Sequence, residues 1–190
     1  QAGCLIKQGR WQECQDIVQR LMDHPMASES AGLGVRARQM LTAASQGQGQ
    51  LTAAVEHAQE AVRLCAELPK GSTLVIGALR ALIGALAESG RLDEAWEYCQ
   101  EMNGHMDDHS MTQLAGEVAW VIGNVAFMRH DYQEGIKYHE RAAQLHPPAN
   151  DIDRWARFNK ASAPVRLPPG PPHTDTLNHA ERADVAPPSV

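Results

Sequence analysis

Residues 122–147 read IGNVAFMRHDYQEGIKYHERAAQLHP, and this stretch decides the fold. Within it His130 closes a turn, Tyr132 follows two residues later, and Gly135 three after that. The same spacing occurs three more times earlier in the chain. Gly90, Leu92 and Ala95 form one copy, Gly49, Leu51 and Ala54 another, and Gly9, Trp11 and Cys14 the first. Successive copies lie 40 or 41 residues apart. A self-similar period of this length is the signature of a repeat array and outranks other sequence signals. Such arrays present extended binding surfaces far more often than catalytic pockets.

Each copy reads as two helices joined by a short turn. Leu79, Leu82 and Leu86 are spaced i, i+3, i+7 and share one helix face. Gly90 ends that helix, since Gly tolerates the left-handed cap. Asp93 and Glu94 open the next helix, where carboxylates suit the positive end of the helix dipole. Leu92, Ala95 and Tyr98 continue the apolar face. In the second unit Leu41 and Ser45 mark the first helix and Gln-Gly-Gln-Gly-Gln (46–50) the turn. Leu51, Ala54, Ala58, Ala61 and Leu64 make its second helix. The first unit holds only the end of a first helix, then a second helix from about Trp11 to Met22. The chain starts without Met and inside a helix, so it is expected to be a fragment cut on its N-terminal side.

The fourth unit carries a family resemblance. The tetratricopeptide (TPR) pattern runs W-x2-L-G-x2-Y, then A-x3-F, A and P over two antiparallel helices. Ile122-Gly123 supplies the L-G pair, where Gly permits close helix approach. Tyr132 follows the turn, Gly135 takes the small crossing position, and Ala142 the next packing position. Pro147 stops the second helix, because Pro cannot continue one. Residues 123–147 resemble the TPR family closely, and the resemblance extends over residues 4–160. The TPR motif proper has about 34 residues, so each period here carries about six or seven more. Longer helices, or loops at 24–30 and 103–110, are expected to hold them.

The resemblance implies an all-α fold, a TPR-like α-solenoid of antiparallel helix pairs wound into a right-handed superhelix. The array is expected over residues 1–163, with units near 1–30, 31–70, 71–110 and 111–149 and a final helix at 151–163. Residues 164–190, with Pro-Pro-Gly-Pro-Pro at 168–172, are expected to form a poorly ordered tail.

Composition agrees. The 190 residues carry a net charge of −6 and a pI of about 5.8, which is no footprint for nucleic acid. Only 5% are aromatic, which suits stacked helices. Cys4, Cys14, Cys65 and Cys99 form no CxxC pair and read as reduced structural thiols of a cytoplasmic protein. No apolar run reaches the roughly 18 residues of a membrane span, and there is no signal peptide. Gln-Ala-Gly-Cys at residues 1–4 faintly matches a lipoprotein cleavage site, but no apolar segment precedes it, and the repeat register places Cys4 in a helix.

Helix A of each TPR unit lines the concave side of the superhelix. By register that face carries Arg36, Gln39 and Ala43, then Gly77, Arg80 and Gly84, then Glu117, Trp120 and Asn124, and lastly Ile152, Trp155 and Asn159. Trp-x3-Asn occurs twice on it. An Asn amide donates and accepts, so it can pair with an extended peptide backbone. Trp is enriched at binding hot spots. Arg80 can hold a carboxylate through a forked pair of hydrogen bonds. The candidate ligand-binding residues are Arg36, Gln39, Arg80, Trp120, Asn124, Trp155 and Asn159. A structural reading stands beside this one, with both Trp residues packing helices and both Asn residues capping or solvated.

His105-x3-His109 spans Asp107 and Asp108 and resembles a metal pair. It falls in an inter-unit loop with no third ligand, and a solvated loop is the better reading. His57, His139 and His146 fall on second helices or their ends, and most of the nine histidines are expected at the surface. No nucleophile–base pair, phosphate loop or paired-carboxylate signature is present. The chain is expected to be non-catalytic, with no cofactor and no metal.

One segment carries a narrower resemblance. Residues 151–163, DIDRWARFNKASA, with Val165-Arg-Leu167, resemble a stretch in actinobacterial TPR regulators that carry an N-terminal helix-turn-helix of the Cro/C1 (XRE) type. Residues 176–183 are similar to the next helix of that family, and the Pro-rich insertion at 168–172 departs from it. The resemblance implies the sensory and dimerisation part of a bacterial transcriptional regulator whose helix-turn-helix lies upstream. Its partners would be a protein or peptide ligand and a second copy of the chain, with no nucleic acid or membrane bound by this segment. The alternative is a free-standing adaptor for protein–protein interaction, and a third is the appended TPR region of an enzyme.

Overall fold

A computed structural model describes residues 2–24, 30–69, 72–105 and 114–145. Among them are eight α-helices and no strand. They are α1 (Ala2–Lys7), α2 (Trp11–Met22), α3 (Ala31–Gly47), α4 (Leu51–Leu64), α5 (Thr73–Glu88), α6 (Leu92–Gly104), α7 (Ala115–Met128) and α8 (Tyr132–Leu145). A short 3-10 turn, Cys65–Glu67, extends α4.

The repeated motif is a repeated turn. Gly9, Gly49, Gly90 and His130 all have positive φ, at 71°, 73°, 79° and 63°. The residue after each donates its N–H back to the last turn of the preceding helix. Arg10 donates to Leu5, Gln50 to Ser45, Arg91 to Leu86 and Asp131 to Ala126, all at 2.8–2.9 Å. The left-handed residues themselves donate to Ile6, Gln46, Ala87 and Phe127. This is the Schellman cap, which satisfies carbonyls that the helix end leaves unpaired. Gly adopts it without strain, whereas His130 does so with a Cβ.

The turns make four helix pairs, α1–α2, α3–α4, α5–α6 and α7–α8. Each second helix also packs on the first helix of the next unit. First helices touch one another along the array, α1 on α3, α3 on α5 and α5 on α7. They form the closer-spaced inner layer of an α-solenoid. Ser30 and Ser72 cap α3 and α5, accepting from the N–H groups of Leu33 and Leu74 at 3.4 Å.

Packing follows the sequence periodicity. Leu79, Leu82 and Leu86 are fully buried, facing Ala54, Ala58, Ala95, Cys99 and Met102 in one cluster that reaches α7 and α8. Leu5, Cys14, Val18, Ala37, Leu41 and Ala44 form a second cluster around α2 and α3. All four cysteines are free thiols. Burial pushes the Cys99 thiol up to about 12, so it stays protonated and inert.

Unit four is packed differently from the rest. A Cβ on Gly135 would lie 2.8 Å from the Phe127 ring, and one on Gly123 would collide with the His139 imidazole. His139 is fully buried, an exception to the expectation that most of the histidines lie at the surface. Gly123 leaves room for the ring and Asn124 supplies its hydrogen-bond acceptor, so burial leaves it with a partner. Arg129 ties this unit to the preceding one. Its guanidinium donates to Asp93 at 2.9 Å and lies 5.0 Å from the Trp96 ring centroid. The expected final helix at 151–163, the Pro147 stop and the tail at 164–190 lie outside the described residues.

Candidate functional site: a groove between first helices

The inner layer opens a groove between α3 and α5, with a cavity of about 290 Å³. Two amides come from α3. Gln39 and Gln46 are two turns apart on one face, about 10 Å along the axis. Ala43 lies between them, and Gly77, Ala81 and Gly84 of α5 complete a floor without bulk. A Cβ on Gly84 would meet only the Gln46 amide, at 3.7 Å, an ordinary contact. Gln39 Nε2 donates to the Leu74 carbonyl at 3.4 Å, and Gln46 Nε2 to Glu88 Oε2 at 3.0 Å. Arg80 stands at the edge toward α7 and donates to Glu117 Oε2 at 3.0 Å.

The candidate residues are thus partly brought together. Gln39 and Arg80 line the groove with Ala43, Gly77 and Gly84 of the expected face. Arg36 is exposed on α3, outside the cavity lining. Trp120 is half-buried and packs against the main core cluster. Asn124 Oδ1 accepts from His139 Nε2 at 2.9 Å, which commits its oxygen to the α7–α8 contact. Trp155 and Asn159 lie outside the described residues. The sequence reading missed Thr42, Gln46 and Ala81. Gln46 sits seven residues after Gln39, so extending the same helical stripe by two turns reaches it.

A second cavity, of about 260 Å³, lies where α2, α3 and α4 meet, among Leu21, Met22, Leu33, Leu64, Arg38 and Glu60. Beside it Arg38 Nη1 donates to His57 Nδ1 at 3.1 Å. Burial, and then the Arg38 charge, hold the His57 pKa below the ordinary histidine value. None of the candidate residues lines this cavity. Among the described residues no three His, Cys, Asp or Glu side chains are grouped to hold a metal ion. His109 of the His105-x3-His109 spacing, read as a solvated loop, lies outside them. No helix among the described residues is long and apolar enough to cross a membrane.

No family model matches the chain, and no curated protein matches it. Solved structures do. Aspartyl phosphate phosphatase F from Bacillus subtilis aligns with a TM-score of 0.71 at 10% identity, over 86% of this chain and 43% of the phosphatase. A putative kinesin light chain from Podospora anserina, built of nearly identical TPR-like repeats, aligns with a TM-score of 0.64 at 16% identity. That match covers 86% of this chain and 84% of the other. The fold is TPR-like. The chain spans less than half the length of the phosphatase, and at these identities the likeness is one of architecture.

Proposed function

We propose that this TPR-like array is a non-catalytic module that binds an extended peptide segment of a partner protein in the groove between α3 and α5. The observation that carries this reading is the groove's construction. Two side-chain amides, Gln39 and Gln46, stand over a floor of Gly77, Ala81, Gly84 and Ala43. A floor this small lets a peptide backbone come close, and each amide offers both a donor and an acceptor to it. Arg80 supplies a cation at the edge. Its ion pair with Glu117 is solvent-exposed and cheap to exchange for a ligand carboxylate. A library of random linear peptides displayed on phage, selected against the full chain, supplies a probe. Selected peptides are expected to shift NMR signals of α3 and α5 and to bind Arg80→Ala more weakly. Peptides that bind both chains equally, with shifts elsewhere, would overturn the assignment.

The wider role we infer is the sensory and dimerisation part of a bacterial, cytoplasmic transcriptional regulator. The similarity of residues 151–167 to a segment of helix-turn-helix regulators supports it. A peptide would act there through unequal affinity for two arrangements of the attached DNA-binding domains. Reading the gene upstream of Gln1 tests this. A helix-turn-helix of about 60 residues is the expected finding. Further repeats alone would favour an adaptor.

A further inference from the structure

Two positions on each second helix, two and six residues past the turn, are partly or fully buried in units one to three. In unit one the later position is Gln15. It donates to Ser45 Oγ at 3.4 Å and accepts from Gln48 Nε2 at 3.0 Å, both at the end of α3. In unit two it is Val55, only 4% exposed. In unit three it is Trp96, over which Arg129 of the next unit is held. The earlier position is Trp11, Leu51 and Leu92 in turn, each half-buried. In unit four these positions are Tyr132 and Ile136, and they are 50% and 48% exposed. The described array therefore ends on an apolar face that its three other units keep covered.

We propose that residues 151–163 of this same chain cover the Tyr132–Ile136 face as the capping helix of the array. Trp155 and Phe158 are the only Trp, Tyr or Phe beyond Leu145, and both fall in this segment. Wound as a helix, it sets Ile152, Trp155, Ala156 and Ala163 on one side and Arg154 and Arg157 opposite, with Asp153 and Lys160 along one flank and Phe158 between Arg154 and Trp155. A polar outer face is what the terminal element of a repeat array requires. Five residues, 146–150, separate Leu145 from Asp151. They can span about 16 Å, more than the 8–10 Å between packed helix axes. In this arrangement Trp155 packs on α8 and is not a groove residue.

The test is a photo-crosslinker, benzoylphenylalanine, placed at Ile136 of the full chain. Its exposure there makes the substitution tolerable to the fold. Irradiation is expected to give an adduct within one chain, mapped by mass spectrometry to residues 151–163 and lost in Trp155→Ala. An adduct joining two chains on a denaturing gel would overturn the proposal and assign the face to a second copy. An adduct to neither would overturn it as well. The outcome is independent of whether the α3–α5 groove binds peptide.

Discussion

His139 Nε2 donates to Asn124 Oδ1 at 2.9 Å, in a space that exists because Gly123 has no side chain. At the same register unit two has Thr42 and Ala58, and unit three has Ile83 and Cys99. Unit four reverses the sizes, with the large residue on α8 and the small one on α7. Gly123→Ala is expected to destabilise the array by ~1–3 kcal/mol through overpacking. Thermal unfolding measures it. Gly123→Ile combined with His139→Cys imports the unit-three pair and should recover at least half of the loss. An unchanged melting temperature in Gly123→Ala would contradict the packing.

Asn124→Ala removes the acceptor of a buried imidazole. Leaving such a group unsatisfied costs about 1–3 kcal/mol. A lowered denaturant midpoint with an unchanged m-value is the expected result. A variant of native stability would return Asn124 to the groove.

The four turns share one backbone geometry, but only His130 holds it with a side chain. His130→Gly is expected to raise stability by about 1 kcal/mol, less what the 3.2 Å contact of His130 with the Tyr132 hydroxyl contributes. Gly90→Ala should lower it by a similar amount. Differential scanning calorimetry of the two variants should show opposite shifts. Shifts of the same sign would mean that cap strain is not what limits these turns.

His57 links stability to pH. Burial and the Arg38 charge favour its neutral form in the fold, so its folded pKa lies below the unfolded value of about 6.5. The unfolded chain then takes up the proton first. The contribution is fully present above about pH 6.5 and is lost as pH falls toward the folded pKa. Urea unfolding from pH 7.5 to 5 should show declining stability, with a shallower decline in His57→Gln. Equal slopes would mean that His57 does not titrate differently in the two states.

Much of this architecture was legible in the chain. Gly9, Gly49 and Gly90 announce their turns because a left-handed cap selects Gly, and Leu79, Leu82 and Leu86 announce their face by spacing alone. The groove was partly legible. Gln39 and Arg80 sit ten residues before their turns, and that register carries them to the inner layer. Trp120 holds the same register position but packs against the core. Register gives the direction of a side chain, and size decides whether it stays in solvent. The position of His139 was legible, since it stands in register with Ala58 and Cys99, but the burial of a histidine there was not. Histidine counts as polar in any periodicity, and its burial depends on Gly123 and Asn124, 16 and 15 residues earlier on a different helix. The imidazole, its space and its acceptor are joined only by the fold.

Gly84→Leu tests the central claim most directly. A side chain there enters the groove, since only the Gln46 amide lies within reach of its first carbon. It also replaces a mid-helix Gly, worth about 0.5–1 kcal/mol to α5. The measurement is calorimetric titration of a phage-selected peptide into the original chain and the variant, beside their melting curves. The expected result is a variant that melts at the same or a higher temperature and has lost peptide binding at least tenfold. Undiminished binding by the stable variant would contradict the groove as the site.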